Sequence, residues 1–134
     1  MKLSAVLKFM LILLFFAGTG CEETTVDPLF KESTFWINQL YTSSDGIYKF
    51  KITEVNDSRC PEGAQCIWAG EVYLKGEWIE NKDTTEVELH SLLSDQQKLP
   101  EGIIMKILDA KPYPKSGTPT DPKVLELTLL IQKK

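Results

Sequence analysis

The stretch IYKFKITEV, Ile47 to Val55, decides the fold class. Tyr48, Phe50 and Ile52 fall on one side and lysines on the other, the period of two that a half-buried strand produces and a helix does not. Its aromatic and β-branched residues suit a pleated surface, and the turn signal Ser43-Ser44-Asp45-Gly46 precedes it.

The same alternation recurs on both sides. Thr34 to Tyr41 (TFWINQLY) reads as a first strand. Ile67 to Glu80 sets Val72, Leu74 and Trp78 on one face, with Gly70 and Gly76 as bend or bulge points. In Thr84 to Leu92 (TTEVELHSL), Val87 and Leu89 point inward while Glu86, Glu88 and His90 point to solvent. Ile103 to Leu108 (IIMKIL) is apolar on both faces, which predicts a central strand. Val124 to Gln132 (VLELTLLIQ) aims Leu125, Leu127, Leu129 and Ile131 at a core. Six or seven short strands without a helical pattern predict an all-β antiparallel sandwich, Ig-like in general style. A small β-barrel is the alternative, because periodicity does not distinguish closure from stacking.

The chain has 134 residues and a formal net charge of −4. Met1 to Gly20 holds two lysines and no acid, so the 114 residues that follow carry 13 basic and 19 acidic side chains. That length suits one domain, able to bury roughly two thirds of its unfolded surface. The acidic balance, with Arg59 the sole arginine, lacks the basic footprint of a nucleic-acid binder.

The N-terminus reads as an address. Lysines in Met1 to Lys8 precede the apolar run FMLILLFFA, the small residues Gly18-Thr19-Gly20, and then Cys21. This is the layout of a secretory signal, and the run is too short for a membrane-spanning helix. A cysteine directly after small residues resembles the bacterial lipobox, with Gly18 where an aliphatic residue is usual. The resemblance implies that Cys21 is acylated and becomes the first mature residue, and two acyl chains would anchor the protein without a spanning helix. The alternative is an ordinary secretory signal with a chance cysteine. The expected organisation is therefore a signal peptide at 1–20, a lipidated tether at 21–33 and a β-sandwich at 34–134. Leu29 and Phe30 interrupt the polar tether and are expected to dock on the domain or to start a short helix behind Asp27-Pro28.

Cys60 and Cys66 remain, an even pair in an oxidising compartment, with Pro61 and Gly63 between them. A disulfide is the expected state. A metal site lacks ligands, since His90 is the only histidine, and no C-x-x-C redox motif is present.

Catalysis has little to draw on. His90 lies between glutamates on a solvent face, where a solvated side chain is expected rather than a general base. No G-x-S-x-G, H-E-x-x-H or phosphate-cradling loop occurs. Asn56, Asp57 and Glu62 supply oxygen ligands within one loop, without the D-x-[DN]-x-[DN]-G run of a calcium site. No cofactor and no metal are expected.

The densest segment is DSRCPEGAQCIWAGE, Asp57 to Glu71. Asp57 can pair with Arg59 or accept backbone N–H groups, Ser58 can cap the turn, and Trp68 can pack on the disulfide. Arginine in a lysine-rich chain points to a need for its planar fork of donors. Lys111 to Lys123 (KPYPKSGTPTDPK) holds four of the seven prolines and reads as a stiff loop with Tyr113 packed down. Asp57, Arg59, Glu62, Trp68 and Tyr113 are the candidate binding-loop residues.

The motif D-S-R-C-P followed by C-I-W-A-G-E, together with Lys111-Pro112-Tyr113-Pro114, resembles small uncharacterised lipoproteins and secreted domains of Bacteroidota over Ile47 to Ile131. That resemblance implies a β-rich extracytoplasmic domain and carries no activity with it. The expectation is a lipid-anchored, non-enzymatic domain with a binding or structural role in the cell envelope, on the periplasmic or the outer face of the outer membrane; for the binding role a protein or a glycan is the expected partner, and nucleic acid is not. An inhibitor of envelope or host hydrolases acting through the Cys60–Cys66 loop is the alternative, and a carboxylate-dependent hydrolase a further one.

Overall fold

The computed structural model describes residues 27–134, so Cys21 and the signal-like segment lie outside the described residues. Seven strands form: β1 (Glu32–Phe35), β2 (Leu40–Thr42), β3 (Tyr48–Asp57), β4 (Val72–Glu80), β5 (Asp83–His90), β6 (Ile103–Lys111) and β7 (Glu126–Lys133). They pair antiparallel into a three-stranded sheet, β1-β7-β6, and a four-stranded sheet, β2-β3-β4-β5. The sheets stack as a β-sandwich and do not close into a barrel.

Alternation fills the space between them. Phe50 and Ile52 of β3, Val72, Leu74 and Trp78 of β4, Val87 and Leu89 of β5, and Leu127, Leu129 and Ile131 of β7 are all buried. Gly76 occupies the inward position between Leu74 and Trp78. A Cβ there would lie 2.9 Å from Phe50 Cε2 and 2.8 Å from the Lys51 carbonyl, so the missing side chain is the space that the Phe50 ring fills. An extra residue, Thr53, bulges β3 between Ile52 and Glu54 and shifts the alternation, which turns Val55 inward. A second bulge at Leu108 does the same for Ala110 on β6 and leaves Leu108 in solvent.

Two expectations need correction. TFWINQLY is not one strand: β1 pairs with β7 in one sheet and β2 with β3 in the other, and the chain crosses between them through Asn38 at φ 64°. IIMKIL is not central. β6 is an edge strand, and β7 is the central strand of its sheet. Ile104 and Ile107 are half-buried on that edge rather than enclosed on both faces.

The packed domain also starts earlier than residue 34. Leu29 is buried, and Phe30 stands edge-on to Tyr48 and Trp78, at 5.3 and 6.0 Å between ring centroids. These residues dock on the core within the stretch read as tether. Asp27 fixes the entry point, its Oδ1 accepting from the Leu29 N–H and its Oδ2 from the Ser44 N–H.

The sandwich has two distinct ends. Asp27, the Ser43–Ile47 turn, the Asn81-Lys82 turn, Gly102 and the C-terminal lysines gather at one, where the Lys133 ammonium sits over the rings of Phe30 and Tyr48 at 4.3 and 4.2 Å. The disulfide loop, the proline-rich loop and the start of the segment after His90 gather at the other. We call these the tether end and the loop end.

Candidate functional site

The loop end is organised around Arg59. β3 ends at Asp57, whose carboxylate accepts from Arg59 Nε at 2.8 Å through Oδ1 and from Nη2 at 2.7 Å through Oδ2. The same Oδ1 accepts from the Arg59 backbone N–H. Arg59 Nη1 donates to the Ala110 carbonyl at 2.8 Å and Nη2 to the Pro112 carbonyl, so one side chain joins the two sheets. Its guanidinium carbon lies 4.6 Å from the centroid of the Tyr113 ring. A lysine would donate from a single nitrogen, while the planar fork spreads its donors over three nitrogens to reach the Asp57 carboxylate and two carbonyls at once. Hydrogen bonding to Asp57, acting against burial, raises the Arg59 pKa above its already high ordinary value.

The two loops that carry the candidate residues form one structure. Glu62 donates its N–H to the Pro114 carbonyl at 2.9 Å, and its carbonyl accepts from the Ser116 N–H. Pro114 is buried and pins the proline-rich loop, while Tyr113 is 44% exposed beneath the arginine rather than fully packed down. Cys60 and Cys66 form the expected disulfide, with Cα atoms 5.9 Å apart. Ser58 closes the base of the loop, its hydroxyl donating to the Glu71 carbonyl and accepting from the Glu71 N–H. Gly70 lies so close to this corner that a Cβ on it would overlap the Ser58 carbonyl oxygen.

Trp68 departs from the expectation. It does not pack on the disulfide: it is 81% exposed, and Ile67 beside it is 91% exposed. The bracing by Ser58, Arg59 and the disulfide holds the loop base and leaves the Ile67-Trp68 pair projecting. At the same end of the sandwich, an apolar concavity of about 420 Å³ opens in the proline-rich loop, lined by Pro112, Tyr113, Pro119 and Val124 with Lys115 and Asp121 at its polar margin.

His90 also departs from the expectation of a solvated side chain. Its Nδ1 lies 3.0 Å from Glu71 Oε1, its ring lies tilted against Tyr73 with centroids 4.7 Å apart, and its side chain is 14% exposed. Burial raises the Glu71 pKa, but hydrogen bonds from His90 and from the Leu92 backbone N–H outweigh it and hold the carboxyl below its ordinary value. These residues line an open, polar depression with Asn56, Ser58 and Glu88. The Ser58 hydroxyl is engaged with the Glu71 backbone, so this group contains no aligned nucleophile and base. Among the described residues, no three His, Cys, Asp or Glu side chains are grouped to hold a metal ion.

The sequence reading missed the Glu71–His90–Tyr73 group. Its signal was the two-residue turn Asn81-Lys82, from which counting back pairs Tyr73 with His90. No family model, no curated protein and no solved structure matches the chain.

Proposed function

We propose that the chain is a lipid-anchored, non-catalytic binding domain of the cell envelope, held through Cys21 and engaging a protein partner through its loop end. The observation that carries the binding role is the pair Ile67 and Trp68, 91% and 81% exposed, projecting from a loop whose base is fixed by the disulfide and Arg59. Large apolar side chains on a fixed backbone lose little freedom on docking, and tryptophan is among the strongest interface anchors. The apolar concavity beside Tyr113 lies at the same end of the sandwich and offers a second apolar contact. The lipobox-like N-terminus and the resemblance to Bacteroidota lipoproteins support the outer-membrane address.

An inhibitor role through the Pro61–Gln65 loop is disfavoured. A loop that enters a hydrolase cleft in extended form offers its backbone to the enzyme, whereas Glu62 already has both its backbone groups paired with the proline-rich loop. The carboxylate-hydrolase reading gains no support, because Glu86 and Glu88 face Lys98 and Lys75 on the open sheet surface and Glu71 is committed to His90 and the Leu92 N–H.

The test is native electrophoresis of detergent-solubilised envelopes carrying the wild-type chain, Cys21→Ser, or Ile67→Ser/Trp68→Ala. The wild-type chain is expected in the membrane fraction and in a complex larger than itself. Cys21→Ser should leave the membrane fraction, and the double variant should remain there but run at the size of the free chain. A complex unchanged in the double variant would overturn the binding role.

A further inference from the structure

The strands run between the two ends, and this direction has a consequence for what Ile67 and Trp68 can meet. The chain enters the sandwich at Asp27, tied to Ser44 at 3.0 Å. β3 then starts beside that turn and carries the backbone through ten residues to Asp57 at the loop end. At strand rise this separates the two ends by about 30 Å. Cys21 precedes Asp27 by six residues, which reach at most about 20 Å when fully extended.

We infer that the anchored domain stands on its tether end, with Ile67 and Trp68 turned away from the bilayer toward a protein that approaches from the aqueous side. This rests on the proposed acylation of Cys21. The short tether keeps the Asp27 end at the membrane, and upright the loop end lies a strand length beyond it. The alternative posture, lying flat so that Trp68 inserts into the same bilayer, is opposed by the sides of the sandwich. The broad face of the four-stranded sheet carries Lys51, Glu54, Glu77, Glu86 and Glu88, and the other sheet presents Lys106, Asp109, Lys111 and Glu126. Either side laid on lipid would strip water from several charges at once. The tether end also carries charges, Asp45, Lys82, Asp83, Glu101 and Lys134, but an upright domain inserts none of them: the acyl chains alone enter the bilayer, and this end stays in the hydrated headgroup layer. The partner is therefore a protein free in the aqueous space or carried on a facing surface, with an apolar pocket for Trp68.

The test uses the full acylated protein in phosphatidylcholine vesicles doped with a dansylated headgroup lipid, with Cys21 acylation read by intact mass on the same sample. Energy transfer from Trp68 is taken as the difference between the wild-type chain and Trp68→Phe, and compared with transfer from Lys82→Trp at the tether end, in the Trp68→Phe background. The expected result is several-fold more transfer from position 82 than from Trp68, with Trp68 open to quenching by soluble iodide. Equal or greater transfer from Trp68, with loss of iodide quenching, would overturn the upright orientation while leaving the anchor intact. An unacylated Cys21 would overturn the anchor and the orientation with it.

Discussion

Asp57 and Arg59, two residues apart in sequence, share two side-chain hydrogen bonds of 2.8 and 2.7 Å at the end of β3, and through the same guanidinium the disulfide loop is tied to Ala110 on the opposite sheet. Their side chains are 5% and 14% exposed, so removing one partner leaves the other charge poorly hydrated. Asp57→Ala should cost about 3 kcal/mol, and Arg59→Lys less, because lysine keeps the charge and loses the fork. Urea unfolding of the two variants beside the wild type checks this. Losses under about 0.5 kcal/mol for both, the level of a surface pair, would mean that the clamp contributes no more than an exposed ion pair.

The disulfide closes a short loop, and on the chain-entropy account Cys60→Ser/Cys66→Ser should lose about 2 kcal/mol. The fold should survive, because the core, Arg59 and the Glu62–Pro114 pairing are independent of it. Proteolysis is the more sensitive readout, with cleavage within Pro61–Gln65 expected to accelerate in the variant. Equal cleavage rates would show that the neighbouring loop alone holds the segment.

Gly70 should not tolerate a side chain. Its Cβ would overlap the Ser58 carbonyl oxygen, a backbone atom that cannot swing aside as a flexible side chain would. Gly70→Ala is expected to destabilise by at least about 2 kcal/mol, in the range of overpacked sites. Gly63→Ala meets open space and suffers mainly from its φ of 83°, so it should cost about 1 kcal/mol. Thermal melts that reverse this order would contradict the corner geometry.

Glu71 gives a pH prediction with a definite sign. Its folded pKa is depressed by the bonds from His90 and the Leu92 N–H, against the raising effect of burial. Its contribution is therefore present above the ordinary carboxyl pKa and is lost as pH falls through the depressed folded value. Glu71→Gln should flatten the acid side of the stability profile below about pH 4.5. An unchanged acid limb in urea midpoints would show that the Glu71–His90 contact is not maintained in solution.

Much of the sandwich is written in alternation. Phe50 and Ile52, Val72, Leu74 and Trp78, Val87 and Leu89, and Leu125 to Ile131 point where a period of two puts them. The failures have local causes. TFWINQLY satisfies the strand pattern at both ends, and the left-handed residue Asn38 that sends it to two sheets is one asparagine among ordinary residues. IIMKIL looks enclosed on both faces, but composition does not say which strand is flanked, and the bulge at Leu108 exposes part of that apolar surface. The Asp57–Arg59 pair was legible because both partners are close in sequence and arginine is rare in this chain. Its long-range bonds to Ala110 and Pro112 were not, since they depend on how two sheets stack. Trp68 shows the opposite bias: a tryptophan beside a disulfide is expected to pack on it, yet Gly70 turns the backbone tightly against Ser58 and the indole stays outside.

Binding of a protein at the loop end through Trp68 can be read by site-specific photocrosslinking in intact cells. A photoreactive amino acid replaces Trp68 in one strain and Lys82, at the opposite end, in another. A discrete adduct of reproducible mass is expected from position 68, absent from position 82 and abolished when Ile67 is also changed to Asp. No adduct at position 68, or the same adducts from both positions, would contradict binding at the loop end.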